Sequence, residues 1–326
     1  MNKLLEVENL HVHIRKGRRS LVAVEDVSFA LEAGHTLGVM GESGCGKSIT
    51  FLALTRLAAP NIRIAQGEAL LEGKSLTALP DREFDALRGK AFSMIFQDSI
   101  SGLNPLLKVG RQVAETLEIH TRLGREEIRR QVLELLVHVR LEDPEIAADK
   151  YPHQLSGGQR QRVMIAMAIA SGPKLLIADE PTTALDVTTQ LQILGLLQDL
   201  QKETGMGMIL ISHDVAVIRQ MCQEVLVMYS GQVMESGLAD RVLCHPRHPY
   251  TAALIRSVAG VGQKGHPLHT IRGTVAPLEQ RQTVEGCVFA DRCEVRCQWH
   301  REPVPLQTLE DGRQIRCHRK GGVEHL

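Results

Sequence analysis

Hydrophobic and polar positions alternate over residues 4–14 (LLEVENLHVHI) and again over 21–31, which predicts two strands at the start of the chain. Between them, Arg15-Lys16-Gly17-Arg18-Arg19 reads as a charged turn, a solvated hairpin tip. A short apolar strand, Thr36–Met40, runs into a glycine-rich loop, Gly41–Gly46, and a helix is expected from Lys47 to about Leu57. Over Gln97–Lys150 the strand pattern stops. Apolar residues recur at helical spacing in Val109–Leu123 and Glu126–Val139 (Ile128, Val132, Leu135, Leu136 and Val139 in the latter), so this segment reads as a helical insert. Strands return at Leu175–Ala178 and Met208–Ile211, with a helix over Thr188–Lys202 between them. A last helix is expected over Pro249–Ser257, with mostly loops beyond it. Short apolar strands alternating with helices predict an α/β fold with a parallel sheet.

Composition narrows the class. The 326 residues, 43% of them hydrophobic, suit about two domains, or one large domain with an appendage. Lysine plus arginine and aspartate plus glutamate both number 38, which disfavours a basic grip on nucleic acid. One Trp, three Tyr and six Phe are too few for base-stacking platforms. The longest clean apolar run, Val163–Ala170, falls far short of the roughly 20 residues a spanning helix needs. Glu6 and Glu8 interrupt the place where a signal peptide would be apolar, so a cytosolic chain is expected.

Gly41-Glu-Ser-Gly-Cys-Gly-Lys-Ser48 fits a phosphate loop between strand and helix. Its glycines let backbone N–H groups curl around phosphate oxygens, and the helix start adds a positive dipole end. Lys47 would reach the β- and γ-phosphates, and the Ser48 hydroxyl would ligate Mg²⁺. Leu175-Leu-Ile-Ala178 then delivers Asp179 and Glu180 to the carboxyl edge of the sheet, Asp179 for hydrated Mg²⁺ and Glu180 as general base toward water. Leu155-Ser-Gly-Gly-Gln159 opens a second helix with Ser156 and glycine N–H groups suited to an anion. His213 follows a further buried strand, and Gln97 ends Met94-Ile-Phe-Gln97, where it could contact metal and water.

In this order the pieces resemble the ATP-binding cassette ATPases over residues 4–240. The resemblance implies a phosphate-loop core (residues 1–96 and 151–258) with antiparallel N-terminal strands and a mixed sheet with a parallel centre. It also implies a helical subdomain (97–150, extending to about 172) and a C-terminal extension (259–326). It makes Gly41, Ser43, Gly44, Cys45, Gly46, Lys47, Ser48 and Ile49 contacts of ATP, and Ser48, Gln97 and Asp179 ligands of Mg²⁺. Glu180, His213 and Gln97 become catalytic, and Ala184-Leu-Asp186 the loop named for its aspartate. Two cassettes of the family stack head to tail, so Ser156 and Gly158 would act on the partner's ATP. The adenine-stacking position, usually aromatic, is Ile14 here, beside His13.

Tyr151–Val163, Ala178–Thr188, His248-Pro-Tyr-Thr251 and Phe96–Pro105 look like the peptide/nickel importer branch. That implies two integral-membrane permeases, a second cassette ATPase (a paralogue rather than a copy), a periplasmic solute-binding protein and a place at the cytoplasmic face of the inner membrane. The permeases' coupling helices would dock on the insert after Gln97. The rival reading is a soluble, carbon–phosphorus-lyase-like assembly with a similar ATPase.

Cysteines are uneven: three precede residue 287, and four follow as Cys287, Cys293, Cys297 and Cys317. A reducing cytosol disfavours disulfides, so a metal or cluster site is the better question. Some peptide-importer ATPases carry a similar set that binds a [4Fe–4S] cluster, which is the expectation here. Zinc with His300 or His318 and plain free thiols are the alternatives.

Overall fold

The computed structural model describes residues 3–97, 102–257 and 270–319. Residues 98–101 of the Phe96–Pro105 resemblance, the expected boundary at 258/259 and the last residues, 320–326, lie outside the described part. In chain order the elements begin with β1 (Lys3–Lys16), β2 (Arg19–Glu32), β3 (Thr36–Met40), α1 (Lys47–Leu54), β4 (Ile62–Leu71), β5 (Lys74–Ser75), α2 (Asp81–Asp85) and β6 (Phe92–Ile95). The insert carries α3 (Val109–His120), α4 (Arg125–His138) and α5 (Pro144–Ala148). The chain continues through α6 (Gly157–Ile169), β7 (Leu175–Asp179), α7 (Val187–Thr204), β8 (Gly207–Ile211), α8 (Val215–Met221), β9 (Glu224–Tyr229) and β10 (Gln232–Leu238). It closes with α9 (Ala239–Cys244), α10 (Pro249–Arg256), α11 (Leu278–Arg281), β11 (Gln307–Thr308) and β12 (Gln314–Ile315).

Two sheets result. One is antiparallel, ordered β2-β1-β4-β5, and the other runs β11-β12-β10-β9-β3-β8-β7-β6. Its centre, β9 to β6, is parallel. The strands there read as unbroken apolar runs because both faces are covered. Leu176, Ala178, Met208 and Leu210 face the helices, while Leu175, Ile177, Ile209 and Ile211 face a second core shared with the antiparallel sheet. The expected α/β class, mixed sheet and parallel core are therefore all present.

Helices α1, α3, α4 and α10 end one to three residues before their predicted ends, whereas α7 outruns Thr188–Lys202 at both ends. Helix α1 stops at Leu54, where the Thr55 hydroxyl donates to the Phe51 carbonyl and Arg56 turns left-handed at φ 52°. Arg56 then lies over the Phe84 ring at 4.2 Å and donates to Asp81 and to the Leu76 and Leu79 carbonyls. In the insert Val109, Val113 and Leu117 of α3 and Ile128, Val132 and Leu136 of α4 are buried, the faces their spacing predicts. The sequence reading omits β4 to β6, and also β9 and β10, which form a hairpin. Their signal is a two-residue turn: Tyr229 pairs with Gln232 across Ser230 (φ 52°) and Gly231 (φ 85°), the left-handed geometry of a tight hairpin.

The C-terminal extension is loop-rich as expected, but it is not an appendage free of the core. Strand β12 joins β10, pairing Glu235 with Ile315, and so extends the main sheet. Arg316 donates to the Asp26 carboxylate at 2.7 Å and to the Val233 carbonyl at 3.1 Å. Buried Phe289 meets Tyr229 and Tyr250 at centroid distances of 5.2 Å each. Removing so buried a ring costs about 3–5 kcal/mol. Phe289→Ala is accordingly expected to lower unfolding stability by that amount in denaturant titration and to speed amide exchange across 270–319.

Candidate functional site

The parallel strands end together, and their carboxyl ends carry the charged groups. Strand β3 hands the chain to the loop Gly41–Gly46 and then to α1. Gly41 stands at φ 148°, and a Cβ there would strike the Met228 carbonyl oxygen at 2.2 Å, so the loop can leave β3 only through glycine. Lys47 is buried and folds its ammonium over the loop, donating to the carbonyls of Gly41 at 2.7 Å and Glu42 at 3.0 Å. Cys45 is fully buried and burial pushes its thiol up, so it is an inert small residue rather than a reactive one. Ser48 and Ile49 follow Lys47 in the first turn of α1, with Ile49 packed on the second core.

Strand β7 brings in Asp179, which is 5% exposed. Burial raises its carboxyl above the usual range; the hydrogen bond from Ser48 and the Lys47 charge oppose this, and Glu180 adds to it. Its Oδ1 is buried without a hydrogen-bond partner. A buried unpaired carboxylate oxygen beside a serine hydroxyl fits a hard cation with oxygen ligands, as Mg²⁺ is.

Glu180 begins the turn after β7 with a left-handed backbone at φ 46°, its N–H donating to the Ile211 carbonyl at 3.0 Å. Its carboxylate accepts from Gln97 Nε2 at 3.0 Å and from the Thr183 hydroxyl at 2.9 Å. His213 Nδ1 lies 3.4 Å from its other oxygen. The imidazole is 68% exposed while the Glu180 side chain is 15% exposed, so the histidine forms the solvent wall of the cluster. The structure thus unites Gln97, Glu180 and His213, which sequence separates widely, beside Asp179 and the phosphate loop.

Ser156, Gly158 and Asp186 form a second group. Ser156 caps α6 in a capping box: its hydroxyl accepts from the Gln159 N–H at 3.2 Å, and the Gln159 side chain accepts from the Ser156 N–H at 3.0 Å. Asp186 caps α7, accepting from the Thr189 N–H and hydroxyl, bonds that hold its carboxyl below the usual range. A Cβ on Gly158 would lie 2.6 Å from the Thr189 methyl, so the two helix starts touch. Ile14 sits half-buried in β1, paired with Leu21 and Ile62.

Cys287, Cys293 and Cys317 are thiols pushed up by burial, and negative charge on Cys297 would raise each of them further. Among the described residues no three His, Cys, Asp or Glu side chains stand together as a metal-holding set. His300 Nδ1 is engaged with the Cys297 carbonyl and His318 Nε2 with that of Glu302. As arranged, these residues do not make a ligand set for iron–sulfur or zinc.

A phosphate-loop motif, the paired Asp179-Glu180 strand end, Gln97 and His213 thus stand together at one edge of the sheet. Residues 24–183 match the family model described as ABC transporter. The chain is an ATP-binding cassette ATPase. As such it binds ATP with Mg²⁺ and hydrolyses it. Residues 234–298 of the cassette chain match a second model, the C-terminal region of oligopeptide/dipeptide transporters. It is similar to the oligopeptide transport ATP-binding protein OppD of Salmonella typhimurium, 42% identical over 325 residues, covering 100% of this chain and 96% of that protein. The OppD protein of Haemophilus influenzae is 41% identical over 317 residues, 97% of each chain. Among solved structures, the dimeric post-hydrolysis state of the ATP-binding cassette MJ0796, bound to ADP and Pi, has a TM-score of 0.65 at 30% identity. It covers 72% of this chain and 98% of its own. Among the described residues no helix is long and apolar enough to cross a membrane.

Proposed function

We propose that the cassette is the ATP-hydrolysing subunit of an importer for peptides or similar small polar solutes. It works at the cytoplasmic face of the inner membrane, bound to two integral-membrane permeases and a second cassette, a paralogue, while a periplasmic solute-binding protein delivers the cargo. The observation that carries this reading is the match of 234–298 to the oligopeptide/dipeptide transporter C-terminal region, on relatives aligned almost end to end. The soluble carbon–phosphorus-lyase-like alternative has no comparable support.

In this reading the N–H groups of Gly41, Ser43, Gly44, Cys45 and Gly46, with Lys47, hold the phosphates, Ile49 continues the loop into α1, and Ile14 packs against adenine. Mg²⁺ on Ser48, Gln97 and Asp179 would supply positive charge to the phosphate oxygens. Glu180 takes a proton from the attacking water; the new P–O bond forms as the bond between the γ-phosphorus and the bridging oxygen breaks, and ADP leaves with the electron pair. Gln97 and Thr183 aim the carboxylate, and His213 faces the γ-phosphate. Ser156, Gly158 and Asp186 close on the partner's ATP; the likeness to a cassette dimer supports that arrangement. A cleft of about 800 Å³ in the insert, lined by Lys108, Arg111, Ile128, Arg129 and Val132, would receive the coupling helices.

Glu180→Gln is expected to bind ATP normally, to lose about two to four orders of magnitude in turnover, and to elute as a nucleotide-dependent dimer in gel filtration. Turnover at the native rate would remove Glu180 as the base. Mass spectrometry of what co-purifies from detergent-solubilised membranes is expected to find two multi-span permeases and a second cassette. Recovery from the soluble fraction with metabolic enzymes would favour the lyase-like alternative instead.

A further inference from the structure

The phosphate loop contains a carboxylate, Glu42, at a place where polyphosphate must bind. A negative group beside bound phosphates raises the free energy of binding unless it is neutralised. The neutralising group comes from the C-terminal lobe. Arg292 donates to both Glu42 carboxylate oxygens, at 2.6 and 2.9 Å, a bidentate fork with the Arg292 side chain only 7% exposed. Arg292 is itself fixed, donating to the Arg272 carbonyl at 2.8 Å and lying over the Tyr229 ring at 5.6 Å.

The same residue of the loop is held from two other directions. Its N–H donates to the Tyr250 hydroxyl at 2.9 Å, and its carbonyl accepts from Lys47 at 3.0 Å. A second guanidinium from the lobe reaches the loop two residues on: Arg281 donates to the Gly44 carbonyl at 2.8 Å while its Nε donates to the Ala276 carbonyl at 2.9 Å. The segment carrying both arginines is tied to the antiparallel sheet as well, where the Gln282 amide exchanges hydrogen bonds with the Val22 N–H and carbonyl. Lobe and loop are therefore one hydrogen-bonded unit.

We propose that Arg292, carried by the C-terminal lobe, is a positioning residue of the nucleotide site: it cancels the Glu42 charge and, with Arg281, fixes the phosphate-loop backbone in its binding shape. The inference rests on the reading of Gly41–Ser48 as the ATP phosphate loop. Its consequence is that the lobe sets ATP affinity, so a disturbance anywhere along 270–292 reaches the phosphates through two guanidinium groups.

The test is Mg-ATP binding by the full-length chain, measured by isothermal titration on Arg292→Gln, Arg292→Lys, Lys47→Ala and the double variant Arg292→Gln/Glu42→Gln. Arg292→Gln is expected to bind about tenfold more weakly, and the double variant to recover at least half of that loss on a logarithmic scale, since it removes both charges together. Arg292→Lys, with the charge but not the fork, is expected between native and Arg292→Gln. Native affinity in Arg292→Gln would overturn the proposal. So would a folded double variant as weak as the single one, because Arg292 would then only pack; if Arg292→Gln fails to fold, a folded double variant at least tenfold weaker than native overturns the proposal in its place. Lys47→Ala separates the two readings: if it binds ATP normally the phosphate-loop assignment fails, whereas if it loses ATP while Arg292→Gln does not, only the present proposal fails.

Discussion

The register of three buried parallel strands decides where every charged group of this site stands. Strand β8 lies between β3 and β7, with Val39 opposite Ile211 on one side and Asp179 opposite Ile211 on the other. A single backbone level therefore launches the phosphate loop, the two carboxylates and the turn to His213. Because both faces of these strands are buried, a slip in register would move apolar side chains between two differently shaped cores. Burial energy thus holds the spacing of these groups, and they need little strength of their own to stay in place. The Ser212 N–H donating to the Val39 carbonyl and the Glu180 N–H to that of Ile211 extend this ladder just past the strands, to Glu180 and the residue before His213.

This explains why the nucleotide motifs were legible in the sequence. Gly41–Ser48 and Asp179-Glu180 each follow a strand whose composition announces it, and a strand end fixes position. Gln97 and His213 were legible only through their order in the family pattern, because nothing local says that they converge on Glu180. The insert was legible from the periodicity of Ile128, Val132 and Leu136. Strands β9 and β10 were not read, although their two-residue turn was visible as Ser230-Gly231. The short β11 and β12 could not have been read: two-residue strands carry no periodicity, and their pairing depends on a buried Glu235 and Arg313 brought together from 78 positions apart in chain order.

The C-terminal lobe illustrates how a region poor in regular structure becomes ordered. Its apolar content is modest, but Phe289 reaches an aromatic floor made by Tyr229 of β9 and Tyr250 of α10. Around that anchor the ordering is done by arginines whose guanidinium groups satisfy backbone carbonyls, Arg313 those of Arg241 and His245 and Arg316 those of Val233 and Val304. Such planar, multi-donor side chains replace the ladders that a loop lacks. The lobe is thereby built into the sheet edge and the phosphate loop at once.

Glu180 holds a left-handed backbone conformation that costs a residue with a Cβ roughly 1–2 kcal/mol. The turn is over-determined by the Ile211 carbonyl behind it and the Thr183 hydroxyl ahead of it, so the fold carries that cost. Glycine or asparagine at the same place would relax the backbone. A more permissive residue would therefore hold this turn at lower cost, yet the residue proposed as the base stands there. In the proposed mechanism, stability and turnover pull in opposite directions at a single Cα.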